Sequence, residues 1–311
     1  MASIQLEITA HERALAESRK GFFCGLAAYV IWGFVTVYYK LAPHIPPLEI
    51  VAHRAAWAVP FAVVVLMVLG GGATVGSILR TWRIMRVLMF TATIIAINWS
   101  LFIWAVANDR ILESSLAYYI NPLISVALGF ALLGERLTRA QGLAIGIAAV
   151  AVVFQTTAEG VFPWLALALA SSFATYGYLR KQVPVGAVEG FLVEAMVMTP
   201  VAVGAIVWFE VTGQGHLFTA PLDALYLIVG AVVTGAPLML FAAAARRLRL
   251  STLGLMQYIG PSIGFLFGVF WFHEPLTTVR LITFILIWVA LALFSWSALR
   301  RDRPAVDIPP S

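Results

Sequence analysis

The sequence predicts an all-α integral membrane protein, with ten transmembrane helices arranged as two inverted five-helix repeats. Three observations carry that expectation. Hydrophobic residues make up 61% of the 311-residue chain and charged residues 11%, with a mean hydropathy of +0.93. Soluble domains run at about 45–50% and about 25%. The apolar residues collect in runs of the roughly 20 residues that a helix needs to cross about 30 Å of hydrocarbon. Finally, the segment SSLAYYINPLISVALGFALLGERLT, residues 114–138, recurs without a gap 139 residues later. Tyr119 falls on Tyr258, Pro122 on Pro261, Gly129 on Gly268 and Glu135 on Glu274. At a spacing of 140, Tyr38, Glu49, Ala55 and Pro60 fall on Tyr178, Glu189, Ala195 and Pro200.

Residues 1–20 are charged and lack the short apolar core and small-residue cleavage site of a secretory signal, so they read as a polar cytoplasmic tail. The first apolar run, 21–39, stops at LAPHIPP, and the second, 48–70, at LGGGATVGS. The third, 84–107, ends in the NDR turn, and the fourth, 112–134, in LGERLT. The fifth, 140–157, stops at TAEG, the sixth, 162–179, before VPVG, and the seventh, 187–209, at TGQG. Runs 222–244, 251–272 and 277–299 follow, then a second polar tail, 300–311. Gly and Pro punctuate these breaks as they do turns, and none leaves room for a soluble domain. The first repeat is thus 21–157 and the second 162–299.

Sixteen of the twenty Lys and Arg lie at one set of run ends, among them Arg80, Arg83, Arg86, Arg139, Arg180 and Arg247. The other set has Lys40, Arg110 and Arg280, and Arg54 is inside a run. The positive-inside rule then makes both termini cytoplasmic. Five spans per repeat is an odd number, so the second repeat runs in the opposite sense, about a pseudo-two-fold axis in the membrane plane. That is the sequence signature of a secondary transporter working by alternating access. The pI near 9.6 does not indicate a nucleic-acid partner, because the basic residues form no continuous face beside aromatic ones. Cys24 is the one cysteine; it has no disulfide partner and no metal-ligand spacing, and no cofactor is called for. The expected partners are a small-molecule substrate, the lipid bilayer and, as candidate coupling ion, protons.

Pro122 and Pro261 each lie about ten residues into a run, or about 15 Å deep, near the bilayer midplane. A proline there frees the carbonyl four residues back, which hydrocarbon tolerates only beside protein or a wet cavity. Tyr119, Asn121, Gln257 and Tyr258 beside the two prolines are therefore candidates for a substrate-binding centre. Asn98 and Trp99 share a helix face with Phe102 and add amide and indole groups, while Tyr38 and Tyr178, with Trp32, Ser171, Ser172 and Tyr176, put polar groups along the path. Trp104 and Asn108 read better as interfacial anchors. Arg54 and Glu194 are charges inside spans, related by the repeat yet opposite in sign. Three readings stay open for them: a structural pair, recognition of substrate charge, and proton coupling through Glu194 with His53 as a relay. Lys40, Arg180 and Lys181 at the mouths are snorkelling anchors or attract anions, and Glu135 and Glu274 are polar helix ends. The GxxxG runs at Gly21, Gly142 and Gly264 allow close packing without fixing it.

The motifs AAYVIWG, EIVAHRAAW, NWSLFIWAVAN, LESSLAYYINPL running to LGERL, and FAAAARRLRLSTLG followed by QYIGP resemble the RarD branch of the drug/metabolite transporter superfamily, whose repeat is the EamA domain. The resemblance covers residues 20 to 300. It implies a ten-helix carrier of the bacterial inner membrane that exports small metabolites, amino acids or amphenicol-like drugs. His273 departs from it, standing where the family has glycine. Two other classes fare worse. A membrane-embedded enzyme acting on lipid-linked substrates would need a catalytic constellation, and the chain has no HExxH, nucleophile elbow or P-loop. A non-transporting scaffold would have no use for two midplane prolines.

Overall fold

The computed structural model describes residues 2–133, 138–245, 247–248 and 256–301, and side chains within most of that range. Among the described residues the chain is all helical. Its elements are α1 (Ala2–Lys40), α2 (Pro47–Leu69), a short α3 (Val75–Arg80), α4 (Trp82–Ala107), α5 (Ile111–Leu133), α6 (Arg139–Glu159), α7 (Trp164–Gln182), α8 (Ala187–Val211), α9 (Pro221–Ala245), α10 (Ile259–Leu266) and α11 (Thr278–Arg301). Each of the ten apolar runs overlaps one of the helices other than α3. Among the described residues seven helices are long and apolar enough to cross a membrane: α1, α2, α4, α6, α8, α9 and α11. Ile259–Trp271 is a shorter apolar helix. Glu135, the side chain of Lys181, the start of the ninth run and residues 302–311 lie outside the described residues.

Local sequence accounts for the boundaries. Thr138 and Gln141 form a reciprocal capping box that starts α6, and Gly160 at φ 66° ends it. Gly70 at φ 67° ends α2 in the same way, its N–H reaching the Met67 carbonyl. The expected polar tail is itself helical and continuous with α1, because Ala, Leu, Glu and Arg there are strong helix formers. Its Glu17 holds Arg247 beyond the end of α9 at 2.8 Å.

The two matched prolines behave differently. Pro122 sits inside a continuous α5. Gln257 and Tyr258 form a turn, and Pro261 falls in the first turn of α10, where a missing N–H removes no helical bond. Met256 is helical as well, so the described part of the ninth run is interrupted at Gln257 and Tyr258, just before Pro261. Past Leu266 the helix widens to a π turn over Phe267–Trp271 and stops at His273, whose φ of 53° is left-handed. That backbone favours glycine, and His273 carries a Cβ in it.

Packing follows a definite pairing. α1 lies on α9 and α10, α2 on α8 and α9, α4 on α7 and α8, α5 on α7 and α10, and α6 on α11. Small residues set the closest crossings. Adding a Cβ to Gly33 would place it 2.7 Å from Cβ of Ile263 on α10, and to Gly264, 2.9 Å from Oγ of Ser115 on α5. Of the three GxxxG runs, those at Gly21 and Gly264 meet neighbouring chain, while Gly142 and Gly146 face open space. Large apolar side chains such as Met67, Val68, Val201, Val211, Phe270 and Trp271 remain exposed along the helices, as a hydrocarbon surrounding allows and water does not.

Candidate functional site

Arg54 on α2 is buried among helices, 8% exposed. Its Nη1 donates to the Tyr39 hydroxyl on α1 at 2.7 Å, and its guanidinium carbon lies 4.0 Å from the centre of the Trp99 ring on α4. That is a close cation–π arrangement, which gains strength where water is excluded. From here a chain of aromatic rings in contact, most of them edge to face, crosses the bundle. Tyr226 on α9 stacks on Tyr38 at 4.5 Å, Tyr38 meets Tyr39, Tyr39 meets Phe102, Phe102 meets Tyr118, Tyr118 meets Phe173 and Phe173 meets Tyr176. Five helices, α9, α1, α4, α5 and α7, contribute to this belt.

Its far end reaches a second charge. The Tyr176 hydroxyl donates to Glu194 on α8 at 3.0 Å, and Thr91 on α4 donates at 2.6 Å. Arg180 on α7 completes the group, its Nε 3.5 Å from the carboxylate. Glu194 is 1% exposed, so the cation is what makes its burial tolerable. Gly190, one turn before Glu194, makes room for that cation, since a Cβ there would lie 2.2 Å from Arg180 Nη2. Arg180 is thus an ion-pair partner rather than a snorkelling anchor. Arg54 and Glu194 are not a direct pair: each has its own partners, and the aromatic belt stands between them.

The remaining expected residues divide between this centre and the packing around it. Trp99 belongs to the Arg54 group. Tyr38 donates to the Tyr226 carbonyl and stays half-buried. Asn98 is buried and donates to the Leu169 carbonyl and Ser172 Oγ, both at 2.9 Å, tying α4 to α7. Tyr178 is half-buried on α7. His53 is buried with neither ring nitrogen partnered among the described residues. Tyr119 and Tyr258, the repeated pair, stack on each other at 6.3 Å. Tyr119 also bonds Ser262 at 2.6 Å and packs on Phe284 and Trp288 of α11. It is 3% exposed, and helical rotation turns it away from the side of α5 on which Tyr118 meets Phe102 and Phe173. The structure therefore sets Tyr119 and Tyr258 in the α5–α10–α11 seam, with Asn121 and Gln257 half-buried nearby in the chain and Pro122 and Pro261 buried. Tyr39, Tyr118 and Thr91 are central residues that sequence reasoning passed over, because the helix face on which each lies is not written in the hydropathy pattern.

At the helix ends opposite the arginine-rich set, polar straps cross between elements. Lys40 binds Asp109, and His44 binds Asp223 at 3.0 Å. The fully buried Glu49 takes both the backbone N–H of His216 and its Nδ1 at 2.7 Å. Glu159 holds Thr277 and Arg280. Glu274 accepts the N–H groups of Ile111 and Leu112 at 2.6 and 2.9 Å, capping α5 from the end of α10. Burial pushes the Glu274 carboxyl above its ordinary value, opposed by those two amides.

The EamA-like transporter family model matches residues 19–157. The RarD protein of Escherichia coli K12 is 42% identical over 92% of this chain and 97% of its own. The chain belongs to the RarD family of EamA-like transporters. An uncharacterised transporter of Pseudomonas aeruginosa, PA0485, is 40% identical over 93% of this chain and 98% of its own. A crystal structure 17% identical in sequence shares the fold, with a TM-score of 0.59 over 89% of this chain and 98% of that one. This family member is accordingly a multi-pass bacterial membrane transporter of the drug/metabolite superfamily, and small molecules are what such a protein carries.

Proposed function

We propose that the chain crosses the inner membrane ten times as two inverted repeats, and carries a small organic solute by alternating access through the Arg54–Glu194 belt. The observation that supports this most is the helix pairing. Exchanging the halves turns α1 into α7, α2 into α8, α4 into α9, α5 into α10 and α6 into α11. The pairing α1–α9 then becomes α7–α4, α1–α10 becomes α7–α5, and α2–α9 becomes α8–α4, while α2–α8, α5–α10 and α6–α11 map onto themselves. Every one of these pairs is present. A two-fold that relates five-helix halves inverts one against the other, and two nearly equivalent packings are what a carrier alternates between. The straps support the same topology. Strict up-and-down alternation puts Lys40, Asp109, Glu49, His216, Glu159, Arg280, Glu274 and Ile111 on one face, and these are the residues in contact.

On this reading the strapped face is the outer one and is closed, with both termini cytoplasmic. The solute meets half-buried Trp99, Tyr118, Phe173 and Tyr176, which pack on neighbouring helices yet keep accessible surface. Aromatic walls with few polar groups suit a metabolite, amino acid or amphenicol-like drug. Export and proton coupling are the finer parts of the proposal, with protonation of Glu194 as the event that releases Arg180. Counterflow of labelled amino acids, nucleosides and chloramphenicol in proteoliposomes tests the carrier function, because only a carrier accelerates uptake when solute is loaded inside. Absence of counterflow for all of them refutes it. Single cysteines at Ser77 and Thr219, in chains whose Cys24 is replaced, test the topology. An impermeant maleimide must reach them from opposite sides.

A further inference from the structure

We propose that Arg54 is the receptor for an anionic group, a carboxylate or phosphate, on the transported solute. This rests on the transporter reading above and names the class of molecule carried. A guanidinium has five N–H donors. In Arg54 one bond goes to Tyr39, Trp99 covers a face, and the buried Nε has no partner among the described residues. No described carboxylate lies within 4 Å of it. The other cations set into the structure do have one: Lys40 has Asp109, Arg110 has Glu113, Arg180 has Glu194 and Arg280 has Glu159. The described arginines that lack an acid, Arg19, Arg80, Arg83, Arg86 and Arg139, are exposed to solvent.

The repeat sharpens the contrast. At the matching position of the second half stands Glu194, and there the fold supplies a cation one helix away. Arg54 is left with neutral hydroxyls and π faces, which soften a buried charge without cancelling it. An incoming carboxylate or phosphate takes the free guanidinium edge in charge-assisted bonds, with the Tyr39 and Tyr118 hydroxyls as further donors. Phe102, Tyr118 and Phe173 beside it accept a flat apolar body. The anion therefore enters with its charge toward Arg54 and its body along the belt.

The two possible jobs of Arg54 predict opposite signs. If it awaits an anion, it is a stability cost in the empty protein, and Arg54→Gln leaves the melting temperature of the purified full-length chain unchanged or raises it. If it is a structural post, Arg54→Gln lowers that temperature as Glu194→Gln does. The ligand arm uses benzoate and phenylphosphonate as probes, with benzamide as the uncharged control. The expected result is that one or both anions stabilise the wild-type chain while benzamide does not. Arg54→Gln then weakens binding of the anion at least about tenfold, since bonds to a charged group carry more than a factor of ten. Benzoate against phenylphosphonate separates carboxylate from phosphate recognition. The inference is overturned by a lowered melting temperature in Arg54→Gln, by no stabilisation from either anion, or by equal stabilisation from benzamide. Counterflow of anionic solutes that persists undiminished in Arg54→Gln overturns it while leaving the carrier reading intact. Loss of counterflow for every solute in the wild type removes the carrier reading instead.

Discussion

Replacing Glu194 by Gln tests the charge arrangement at the end of the belt. The carboxylate accepts from Thr91 at 2.6 Å and from Tyr176 at 3.0 Å, and faces Arg180 Nε at 3.5 Å. Gln keeps one carbonyl oxygen, and the hydroxyl facing its new NH2 can turn from donor to acceptor, so the neutral bonds lose about 1 kcal/mol at most. The larger effect is on Arg180. Its side chain is 14% exposed and its Nη1 is already without a partner, so removing the carboxylate strands a buried cation. Breaking one side of a buried pair costs about 3–5 kcal/mol, and because Arg180 lies near a helix end with some access to water the lower end applies, about 3 kcal/mol. Adding Arg180→Gln removes the stranded charge and recovers about 2 kcal/mol of that loss. Equilibrium unfolding in mixed sodium dodecyl sulfate and dodecylmaltoside micelles reads both variants. A double variant as unstable as the sum of the two singles refutes the pairing. In proteoliposomes the single variant should lose gradient-driven flux while keeping part of its solute exchange. Full gradient dependence in Glu194→Gln would rule out that residue as the coupling group.

Gly190→Ala should act on the same pair without touching either charge, because its methyl occupies the space of the Arg180 guanidinium. Gradient-driven flux should fall as in Glu194→Gln, and unchanged flux would show that Arg180 has another route to the carboxylate. Glu274→Ala leaves the N–H groups of Ile111 and Leu112 buried and unpaired, at about 1–3 kcal/mol each. Its unfolding free energy should drop by more than that of Glu274→Gln, which keeps an acceptor. Gly33→Ala forces α1 away from the branched Cβ of Ile263 and should cost about 1–3 kcal/mol in the same unfolding assay. Tyr39→Phe and Tyr119→Phe remove the same atom in different places. The first should raise the apparent KM for counterflow with little change in stability, and the second should lower stability with little change in KM.

Much of the fold was legible because it depends on composition and length. Runs of about 20 apolar residues bounded by Gly and Pro became helices at nearly the boundaries where the punctuation falls, as at Gly70 and Gly160. What composition does not contain is rotation about a helix axis. Tyr118 and Tyr119 differ by one residue and hence by about 100°, which places one against α4 and α7 and the other against α11. No hydropathy pattern separates them when both flanks are apolar. Depth alone was equally blind for Arg54 and Glu194, because the side chains that satisfy them, Tyr39 and Arg180, lie on other helices. The doublets Tyr38–Tyr39 and Tyr118–Tyr119 were a signal in hand. Two adjacent tyrosines in a span cannot both face lipid, so one of each had to be placed inward.

The repeated residues and the diverged ones play different parts in the proposed carrier, and the reason is geometric. Under the proposed two-fold, a residue that recurs sits in both halves, so it meets its counterpart or its counterpart's neighbours near the axis. Tyr119 and Tyr258 do this directly. A small solute is asymmetric and offers the two halves different groups, so the side chains that recognise it gain nothing from being alike. The matched positions of Tyr39 and Tyr118 are Leu179 and Gln257, and that of Arg54 is Glu194. The places where the duplication has diverged in chemistry, at otherwise equivalent points of the bundle, are therefore the ones that recognition can use. Arg54 opposite Glu194 is the largest such divergence inside the spans. One half thereby holds a charge paired with Arg180, and the other a charge with no carboxylate within 4 Å among the described residues.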